Sequence, residues 1–425
     1  MPVPFFFYLV ENGPPPWLRE HGWTIFYSAV VGAVLFMLKR YTSGKAYESE
    51  KPMHGKVAMI TGGTSGIGAE AAFELANRGA QLILLTQTPV ADPFLVEYIQ
   101  DLRQKTNNQL IYAEQVDLSS LHSIRKFATA WIDNAPPRRL DMVILCASTM
   151  TPPGGKRVEL DGGIEQTWMV NFLANFHLLG ILSPAIRAQP FDRDVRIVLL
   201  TCSSYIRSPS LKVAISSDNW SPSRAYARSK LALNVFGQAL QKHLDSYKRP
   251  DELPMNARVV FVDPGFCRTP GTRRWITRGS LLRLFLYLVG YIFPWLLLKS
   301  PWRGAQSVLC AVMDGHILKG SGGKLIKECT EVDFARPEVH DEEVAKKLWE
   351  ESDALIESVE KSQAKKRANE KAAQSKNEEA EKEQEQAAEV ESLMKAIKKG
   401  KEKAKDKENQ HKKGGGNGKP RKRAK

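Results

Sequence analysis

Cysteine is scarce in this sequence, and its few copies form no recognisable framework. The five cysteines are an odd number without a C-x-x-C pair, which argues against a disulfide scaffold and a zinc site. The eight histidines lack the spacing of metal ligands, so we expect no metal. Free cysteine usually behaves as a small buried hydrophobic residue, and we assign no chemistry to Cys146, Cys202 or Cys267. A reducing, cytosol-facing compartment fits this composition best.

Aromatic residues are absent from the last 65 residues, 361–425. This segment carries 21 Lys and Arg against 11 Asp and Glu, a net charge of +10 that leaves about +4 of the chain's +14 for the rest. Its large apolar residues are Val390, Leu393, Met394 and Ile397. Such a segment cannot bury enough apolar surface to offset its chain entropy. We therefore predict a disordered charged tail, with transient helix or coiled coil in its Glu/Lys/Ala-rich part and coil from Lys412.

The basic end of the tail could contact nucleic acid or anionic lipid. A plain solubilising role is the favoured interpretation, and we expect no specific nucleic-acid partner. The last four residues, Lys422-Arg423-Ala424-Lys425, resemble a dilysine signal for retrieval to the endoplasmic reticulum, which works on a cytosolic tail. A nuclear-import patch is the competing interpretation.

Charge is missing from Trp23 to Leu38, "WTIFYSAVVGAVLFML", whose sixteen residues would make about 24 Å of helix. This is short for a bilayer core of about 30 Å, but Trp23 and Lys39-Arg40 can lie in the two interfaces. We predict a transmembrane or membrane-anchoring helix at 23–38, after an N-terminal segment at 1–22. More positive charge follows the helix than precedes it, which places the rest of the chain in the cytosol. A cleaved signal peptide is a weaker alternative, and a hairpin of "VPFFFYLV" with this helix in one leaflet stays open.

A second apolar run, 281–298, contains Arg283 and Pro294 and is a poor candidate for a span. Five arginines lead into it or lie within it: Arg268, Arg273, Arg274, Arg278 and Arg283. This pattern predicts an interfacial helix whose basic end lies among lipid headgroups. A buried core helix is the alternative.

A glycine loop follows the first apolar run of the central region. Val57 to Thr61 has the length of a buried strand, and Gly62, Gly66 and Gly68 then precede helical apolar spacing and a second strand, Leu82 to Leu85. Glycines at such a turn let the backbone approach a pyrophosphate, which the helix N-terminus holds through free N–H groups. The unit therefore predicts a dinucleotide site.

The same alternation continues along the chain. The segments "LIYAEQVDL", "MVILCAS", "VRIVLLTCSS" and "ARVVFVDPG" are predicted strands, with helical stretches between them. Strands alternating with helices indicate an α/β fold, a Rossmann-type doubly wound parallel sheet that binds ligands at the carboxyl ends of its strands. The residues at those ends include Asp117, Ser148, Ser203, Ser204 and Asp263-Pro264-Gly265.

The end of the second strand bears on the choice of cofactor. An acidic residue there would bind the ribose 2′-OH of NAD, but this chain has Thr86-Gln87-Thr88. Because no carboxylate would repel a 2′-phosphate, NADP(H) is favoured over NAD(H).

These motifs resemble the short-chain dehydrogenase/reductase family, and most of all its membrane-bound retinol dehydrogenase-like members. "TGGTSGIG" matches the family's T-G-x-x-x-G-I-G loop, and Tyr226 with Lys230 matches its Y-x-x-x-K pair. The pairs Tyr41/Lys45 and Tyr47/Lys51 have the same spacing but precede the domain. The likeness spans about residues 53–357.

The resemblance implies a role for each matched residue. It makes Asn171, Ser203 or Ser204, Tyr226 and Lys230 the catalytic group. It assigns the cofactor to Gly62, Thr64, Ser65, Gly66, Ile67, Gly68, Asp117, Leu118, Ala147, Tyr226, Lys230, Pro264, Gly265 and Thr269. The chain departs from the family's N-N-A-G, which is Leu145-Cys146-Ala147-Ser148 here, and "TCSSY" can be aligned to place either serine in the catalytic role.

The Tyr226/Lys230 pair suggests a mechanism. Ser221 and Pro222 look like the N-cap and first residue of a helix that puts both side chains on one face. A charge about 4 Å from the phenol, at an effective dielectric near 20, would favour phenolate by roughly 4 kcal/mol. We therefore expect Lys230 to lower the pKa of Tyr226, which would exchange a proton with the substrate oxygen while NADPH delivers hydride.

The segment after the last predicted strand, 266–298, would cover the substrate from the membrane side. This predicts an oxidoreductase that acts on the carbonyl or alcohol of a lipophilic molecule: a retinoid, sterol, polyprenoid or acyl-lipid ketone. We expect it at the endoplasmic reticulum or a lipid droplet, with the catalytic domain facing the cytosol, in contact with membrane lipids and able to form a homodimer. The alternative is a catalytically weak, membrane-anchored nucleotide-binding scaffold whose tail binds partners.

Overall fold

The protein is described by a computed structural model at residues 16–160, 162–213 and 219–413. An eight-stranded sheet lies at the centre of the unit Met1–Glu360, in the order β3-β2-β1-β4-β5-β6-β7-β8. The strands are β1 Val57–Thr61, β2 Gln81–Thr86, β3 Ile111–Gln115, β4 Met142–Leu145, β5 Val195–Leu200, β6 Ala257–Asp263, β7 Lys324–Lys327 and β8 Thr330–Val332. Neighbouring strands are parallel from β3 to β7, and β8 pairs antiparallel with β7.

The helices follow the strands in alternation, as the sequence predicts. They are α1 Pro16–Ser43, α2 Gly66–Asn77, α3 Pro93–Thr106, α4 Leu121–Ile132, α5 Gln166–Arg187, α6 Pro222–Ser246, α7 Pro270–Thr277, α8 Leu281–Val289, α9 Ile292–Leu297, α10 Pro301–Met313, α11 Gly315–Lys319 and α12 Glu342–Lys413. A π-helical turn, Met169–Leu173, interrupts α5, and a 3-10 turn, Ser203–Arg207, follows β5. The doubly wound sheet is therefore confirmed.

Two hydrophobic cores form because the sheet is covered on both faces. Along β1, Val57 and Met59 belong to one core, while Ala58 and Ile60 belong to the other. This alternation follows from the two-residue period of a strand, and burial on both faces explains why the predicted strands are continuous apolar runs. Helices α4, α5, α6 and the start of α12 cover the first face, and α2, α3 and α10 cover the second.

Helix α1 is longer than the sixteen residues predicted from the uncharged run. It contains 28 residues, about 42 Å at 1.5 Å per residue, and Arg19–Ser43 is long and apolar enough to cross a membrane, with no part of its apolar window buried. Gln166–Arg187 passes the same test of length and composition, but its apolar window is 67% buried, which makes it a core helix. The segment 1–15, including the proposed hairpin, lies outside the described residues.

The apolar run 281–298, which we call the apolar platform, forms two short helices, α8 and α9. The chain breaks at Gly290, whereas Pro294 lies in the first turn of α9, where its missing N–H is tolerated. The buried-helix alternative is wrong, because most of the platform's large apolar side chains are exposed: Leu281, Leu282, Phe285, Leu286, Leu288, Val289, Ile292, Phe293, Trp295 and Leu297.

The end of α1 is bonded to the platform. Lys39 Nζ donates to the Trp295 carbonyl at 2.5 Å and lies 5.0 Å from the centroid of that residue's ring. Thr42 Oγ1 donates to the Leu296 carbonyl at 2.7 Å. The basic end of α1 and α9 are therefore held together.

The unit Lys361–Lys425 consists of the later part of α12, which continues to Lys413. The sequence predicts only transient helix in a disordered tail here, whereas α12 is continuous to Lys413; Val390, Leu393, Met394 and Ile397 are exposed, as expected for a segment without a core. The predicted coil beyond Lys413 and the last four residues lie outside the described residues.

Candidate active site

The glycine loop at the carboxyl end of β1 has no room for side chains. Gly62 has a φ of +67°, and a Cβ there would lie 3.0 Å from the backbone of Ala147. A Cβ at Gly68 would lie 2.3 Å from the Gly62 carbonyl oxygen. At Gly66, φ is +60° and a Cβ would lie 3.2 Å from Thr269 Cγ2. The loop, the end of β4 and Thr269 are therefore in close contact.

This loop fits the pyrophosphate of a dinucleotide. Helix α2 begins at Gly66, and its N-cap residue Ser65 makes no side-chain capping bond to the first turn. The N–H groups of that turn and the helix dipole favour an anion. Ile67 turns away and packs against α10, where a Cβ at Gly304 would lie 3.2 Å from Ile67 Cγ1. Thr64 is half-buried and Ser65 is exposed beside the turn.

The ends of the neighbouring strands lie beside the glycine loop and extend the cofactor site. Ala147 N donates to Thr61 Oγ1 at 3.2 Å, which fixes the end of β4 against β1. Asp117 follows β3 and accepts bonds from Ser119 N at 2.8 Å and from Ser119 Oγ at 2.6 Å. Leu118 packs against the core beside it. At the end of β2, Gln87 is exposed.

The motif after β6 lies on the other side of the glycine loop. Gly265 has a φ of +75°, and its N–H donates to Asp263 Oδ1 at 2.9 Å. Pro264 accepts a bond from Cys267 Sγ at 3.5 Å. Thr269 caps α7 by accepting from Thr272 N at 3.2 Å. Of the three cofactor residues predicted here, Pro264, Gly265 and Thr269, the last lies next to Gly66.

Tyr226 and Lys230 lie on α6 as predicted. Ser221 is the N-cap, accepting a bond from Arg224 N at 3.4 Å, and Pro222 is the first helical residue. Lys230 is 2% exposed; its Nζ donates to the Leu200 carbonyl at 2.9 Å and lies 5.7 Å from the centroid of the Tyr226 ring. The pair therefore points to the carboxyl end of β5. The other two pairs do not reach this place, since Tyr41 is 86% exposed on α1 and Tyr47 precedes β1.

The pKa of Tyr226 is shifted opposite to the sequence prediction. Burial raises the pKa of Tyr226 well above its ordinary value, and the neighbouring Cys202 raises it further, while a hydrogen bond with Ser148 lowers it. Burial also lowers the pKa of Lys230. The predicted stabilisation of phenolate by Lys230 does not dominate, because the ammonium is bonded to the Leu200 carbonyl and desolvation of the half-buried phenol disfavours its charged form. Tyr226 is therefore protonated at neutral pH.

Asn171 lies in the π-helical turn of α5 and is fully buried. Its Nδ2 donates to the Thr149 carbonyl at 2.9 Å and to Ser229 Oγ at 3.0 Å. Its Oδ1 accepts from Thr149 N at 2.8 Å and from Ser148 Oγ at 3.2 Å. Asn171 thus joins the end of β4 to α6 and contacts the surroundings of Tyr226 through Ser148.

The two predicted serines do not face Tyr226 directly. Ser203 Oγ donates to Asp263 Oδ2 at 2.5 Å and accepts from Lys327 Nζ at 3.2 Å. Ser204 Oγ lies 2.8 Å from Cys202 Sγ. The side chain that the structure brings to the Tyr226 hydroxyl from this turn is Cys202, with its Sγ at 3.7 Å.

Sequence reasoning missed the roles of Ser148 and Cys202 beside Tyr226. Both positions could have been found, because each lies at the carboxyl end of a central strand, where ligands bind in this fold. The sequence places Ser148 among the strand-end residues but gives it no catalytic role, and Cys202 is assigned no chemistry because free cysteine is usually a small buried hydrophobic residue.

Comparison with known proteins gives a consistent result. The family pattern described as short chain dehydrogenase matches residues 56–278. An uncharacterized oxidoreductase of Schizosaccharomyces pombe is 42% identical over 345 residues, covering 80% of this chain and 92% of that protein. Mouse retinol dehydrogenase 13 is 32% identical over 341 residues, covering 77% and 92%. Mouse polyprenol dehydrogenase is 31% identical over 302 residues, covering 71% and 83%.

Proposed function

This chain belongs to the short-chain dehydrogenase family, and on that premise we propose that it is a membrane-associated, NADP(H)-dependent oxidoreductase for a lipophilic carbonyl or alcohol. The observation that carries the proposal is the convergence of Tyr226, Lys230 and Asn171 on the sheet edge that holds the glycine loop. The substrate class is a retinoid, sterol, polyprenoid or acyl-lipid ketone. The names of the retinol and polyprenol dehydrogenases among its relatives support this class.

Proton transfer is the task of Tyr226 in this proposal. NADPH, when bound, supplies a hydride for the carbonyl carbon. Tyr226 donates its phenolic proton to the carbonyl oxygen, and in the reverse direction it accepts the proton of the alcohol. Lys230 supplies a buried positive charge near the phenol and a donor for the nicotinamide ribose, and Asn171 orders the polar groups around them.

A panel assay tests the proposal. Purified full-length protein in detergent micelles is mixed with NADPH and a lipid aldehyde or ketone: retinaldehyde, a polyprenal, a sterol ketone or an acyl-lipid ketone. We expect NADPH oxidation with at least one of them. Binding of NADPH without turnover of any member would instead support the alternative of a nucleotide-binding scaffold, for which the altered N-N-A-G motif is the motivation.

The contact between α1 and the apolar platform supports membrane association. Lys39 and Thr42 hold α9 at the basic end of α1, the end that would lie at a membrane interface. In this proposal the exposed apolar side chains of 281–298 lie at the headgroup boundary, and Arg273, Arg274 and Arg278 just before them bind the headgroups. This segment follows Thr269, which lies beside the glycine loop, so the platform is connected to the active site. A substrate would therefore reach the site from the lipid.

Introducing charged residues into the apolar platform should impair the reduction of lipid substrates without affecting soluble ones. For the double variant Leu282→Asp and Phe285→Asp in full-length protein in vesicles, we expect KM for a lipid aldehyde to rise about tenfold, because the platform no longer enters the interface. Turnover of a short soluble aldehyde should not change. The control is Leu393→Asp with Met394→Asp, on exposed positions of α12. An equal loss for both aldehydes would contradict lateral entry.

The end of β2 supports NADP(H) over NAD(H). Gln87 is exposed there, and introducing a carboxylate with Gln87→Asp is expected to weaken NADPH binding at least tenfold while NADH binding holds or improves. Dissociation constants measured by nucleotide fluorescence check this. Unchanged NADPH affinity in the variant would mean that the 2′-phosphate lies elsewhere.

The proposed location is the endoplasmic reticulum or a lipid droplet, with the catalytic unit in the cytosol. Its support is the charge after α1 and the basic C-terminal sequence. Protease treatment of sealed microsomes should remove a C-terminal epitope without detergent, whereas protection of the epitope would reverse the orientation. A homodimer stays a prediction.

A further inference from the structure

The surroundings of the Tyr226 hydroxyl differ from what the family resemblance implies. We propose that Ser148, assisted by Cys202, holds the substrate's carbonyl oxygen beside Tyr226, in place of Ser203 or Ser204. This inference rests on the proposed function, since it names the residue that binds the oxygen to which Tyr226 gives its proton.

Ser203 is committed to a different network. Its hydroxyl donates to Asp263 Oδ2 at 2.5 Å, so its one proton is in use, and Lys327 Nζ donates to its oxygen at 3.2 Å. Asp263 is 3% exposed. Turning Ser203 toward Tyr226 would remove a bond from a buried carboxylate, which is costly. Ser203 therefore joins β5 to β6.

Ser148 lies where its hydroxyl can reach both Tyr226 and a substrate oxygen beside it. It follows β4 and is exposed, and a hydrogen bond with it lowers the pKa of Tyr226. Its Oγ donates to Asn171 Oδ1 at 3.2 Å, and turning that proton to a substrate oxygen leaves Asn171 Oδ1 the bond from Thr149 N at 2.8 Å. Asn171 is itself fixed by Thr149 and Ser229. A glycine, which the family motif has at this position, could not make these bonds. The hydroxyl of Ser148 is thus held in place and accessible to a ligand.

Cys202 also lies beside the phenol of Tyr226. Its Sγ lies 3.7 Å from the Tyr226 hydroxyl and 2.8 Å from Ser204 Oγ. A thiol is a weaker hydrogen-bond donor than a hydroxyl. The stronger bond to a carbonyl oxygen therefore comes from Ser148, and Cys202 limits the position of that oxygen.

A rescue experiment tests this assignment on full-length protein in micelles, with NADPH and the carbonyl substrate that the wild type reduces best. Ser148→Ala should lower kcat about 10- to 100-fold without changing NADPH affinity, whereas Ser203→Ala should stay within about threefold of the wild type. Adding Cys202→Ser to Ser148→Ala restores a hydroxyl beside Tyr226 and should recover at least a third of the lost activity. Ser148→Thr, which keeps the hydroxyl, should remain active and covers the case in which Ser148→Ala does not fold.

The pH profile supplies a readout that a structural role would not change. Because Cys202 raises the pKa of Tyr226, Cys202→Ser alone should shift the alkaline rise of alcohol oxidation to lower pH. The inference is overturned if Ser148→Ala is as active as the wild type, if Ser203→Ala loses as much activity as Ser148→Ala, or if Cys202→Ser rescues nothing. Activity in Tyr226→Phe would overturn the proposed function instead, so the two failures are distinguishable.

Discussion

Tyr226→Phe is expected to lower kcat for carbonyl reduction by about 10³-fold, within the range for removal of a general acid. Phenylalanine keeps the ring near Lys230, whose Nζ lies 5.7 Å from its centroid, but removes the hydroxyl that Cys202 and Ser148 contact. The affinity for NADPH should therefore hold. Consumption of NADPH by the two purified proteins at saturating substrate measures the effect.

Tyr41→Phe is the matched control for this variant. Tyr41 shares the Y-x-x-x-K spacing but is 86% exposed on α1, so its replacement should leave kcat unchanged. Equal turnover by Tyr226→Phe and the wild type would end the catalytic assignment.

The raised pKa of Tyr226 fixes the pH dependence of the same step. Reduction needs the protonated phenol, so its rate should be flat across neutral pH and should fall only when pH approaches the raised pKa. Oxidation needs the phenolate, so its rate should rise with pH throughout the neutral range. Tyr226→Phe should abolish that rise in alcohol oxidation.

Gly68→Ala is the second change with a large expected effect. Its Cβ would lie 2.3 Å from the Gly62 carbonyl oxygen and 2.9 Å from the Gly62 carbonyl carbon, which are backbone atoms of the cofactor loop. The loop must open, at a cost of about 1–3 kcal/mol in the free energy of unfolding. We expect the variant to lose the rise in Tm that NADPH binding gives the wild type.

Gly180→Ala is the control for this change, because nothing lies within 4 Å of its added Cβ in α5. It should match or slightly exceed the wild type in stability, since alanine favours helix by about 1 kcal/mol. An undiminished NADPH-induced rise in Tm for Gly68→Ala would mean that the glycine loop does not hold the cofactor.

The central strands were predictable because each is buried on both faces. Val57–Thr61 and Gln81–Thr86 are apolar runs ending at glycine or polar residues, and their type and place follow from composition alone. The two last strands were missed. Lys324–Lys327 has lysine at both ends and Thr330–Val332 is three residues long, so neither has the pattern of a buried strand.

The sequence predicts which residues of the candidate site come together, but it does not predict their hydrogen-bond partners. The spacing of Tyr226 and Lys230 predicts a shared helix face, because helical periodicity is local. The orientation of Ser203 was not predictable, since it depends on Asp263 and Lys327, which arrive 60 and 124 residues later. The pKa of Tyr226 depends on depth of burial, which the sequence does not contain.

The position at which the helix of the apolar platform is interrupted was also not predictable from the sequence. The sequence predicts an interfacial helix at 281–298, and Pro294 is expected to interrupt it because proline lacks the N–H that a helix interior needs. In the structure Pro294 lies in the first turn of α9, and the chain turns at Gly290 instead. The bonds from α1 that hold α9 connect residues more than 250 positions apart.

Transfer of deuterium from NADPH labelled at the nicotinamide C4 tests the central claim most directly. Full-length protein is incubated with NADPH that carries deuterium at both C4 positions, so that transfer from either face is detected, and with a lipid aldehyde; the alcohol is examined by mass spectrometry. The account predicts one deuterium per molecule of alcohol with the wild type and about a thousandfold less labelled product with Tyr226→Phe. Alcohol formed without deuterium, or the same labelled yield from both proteins, would contradict it.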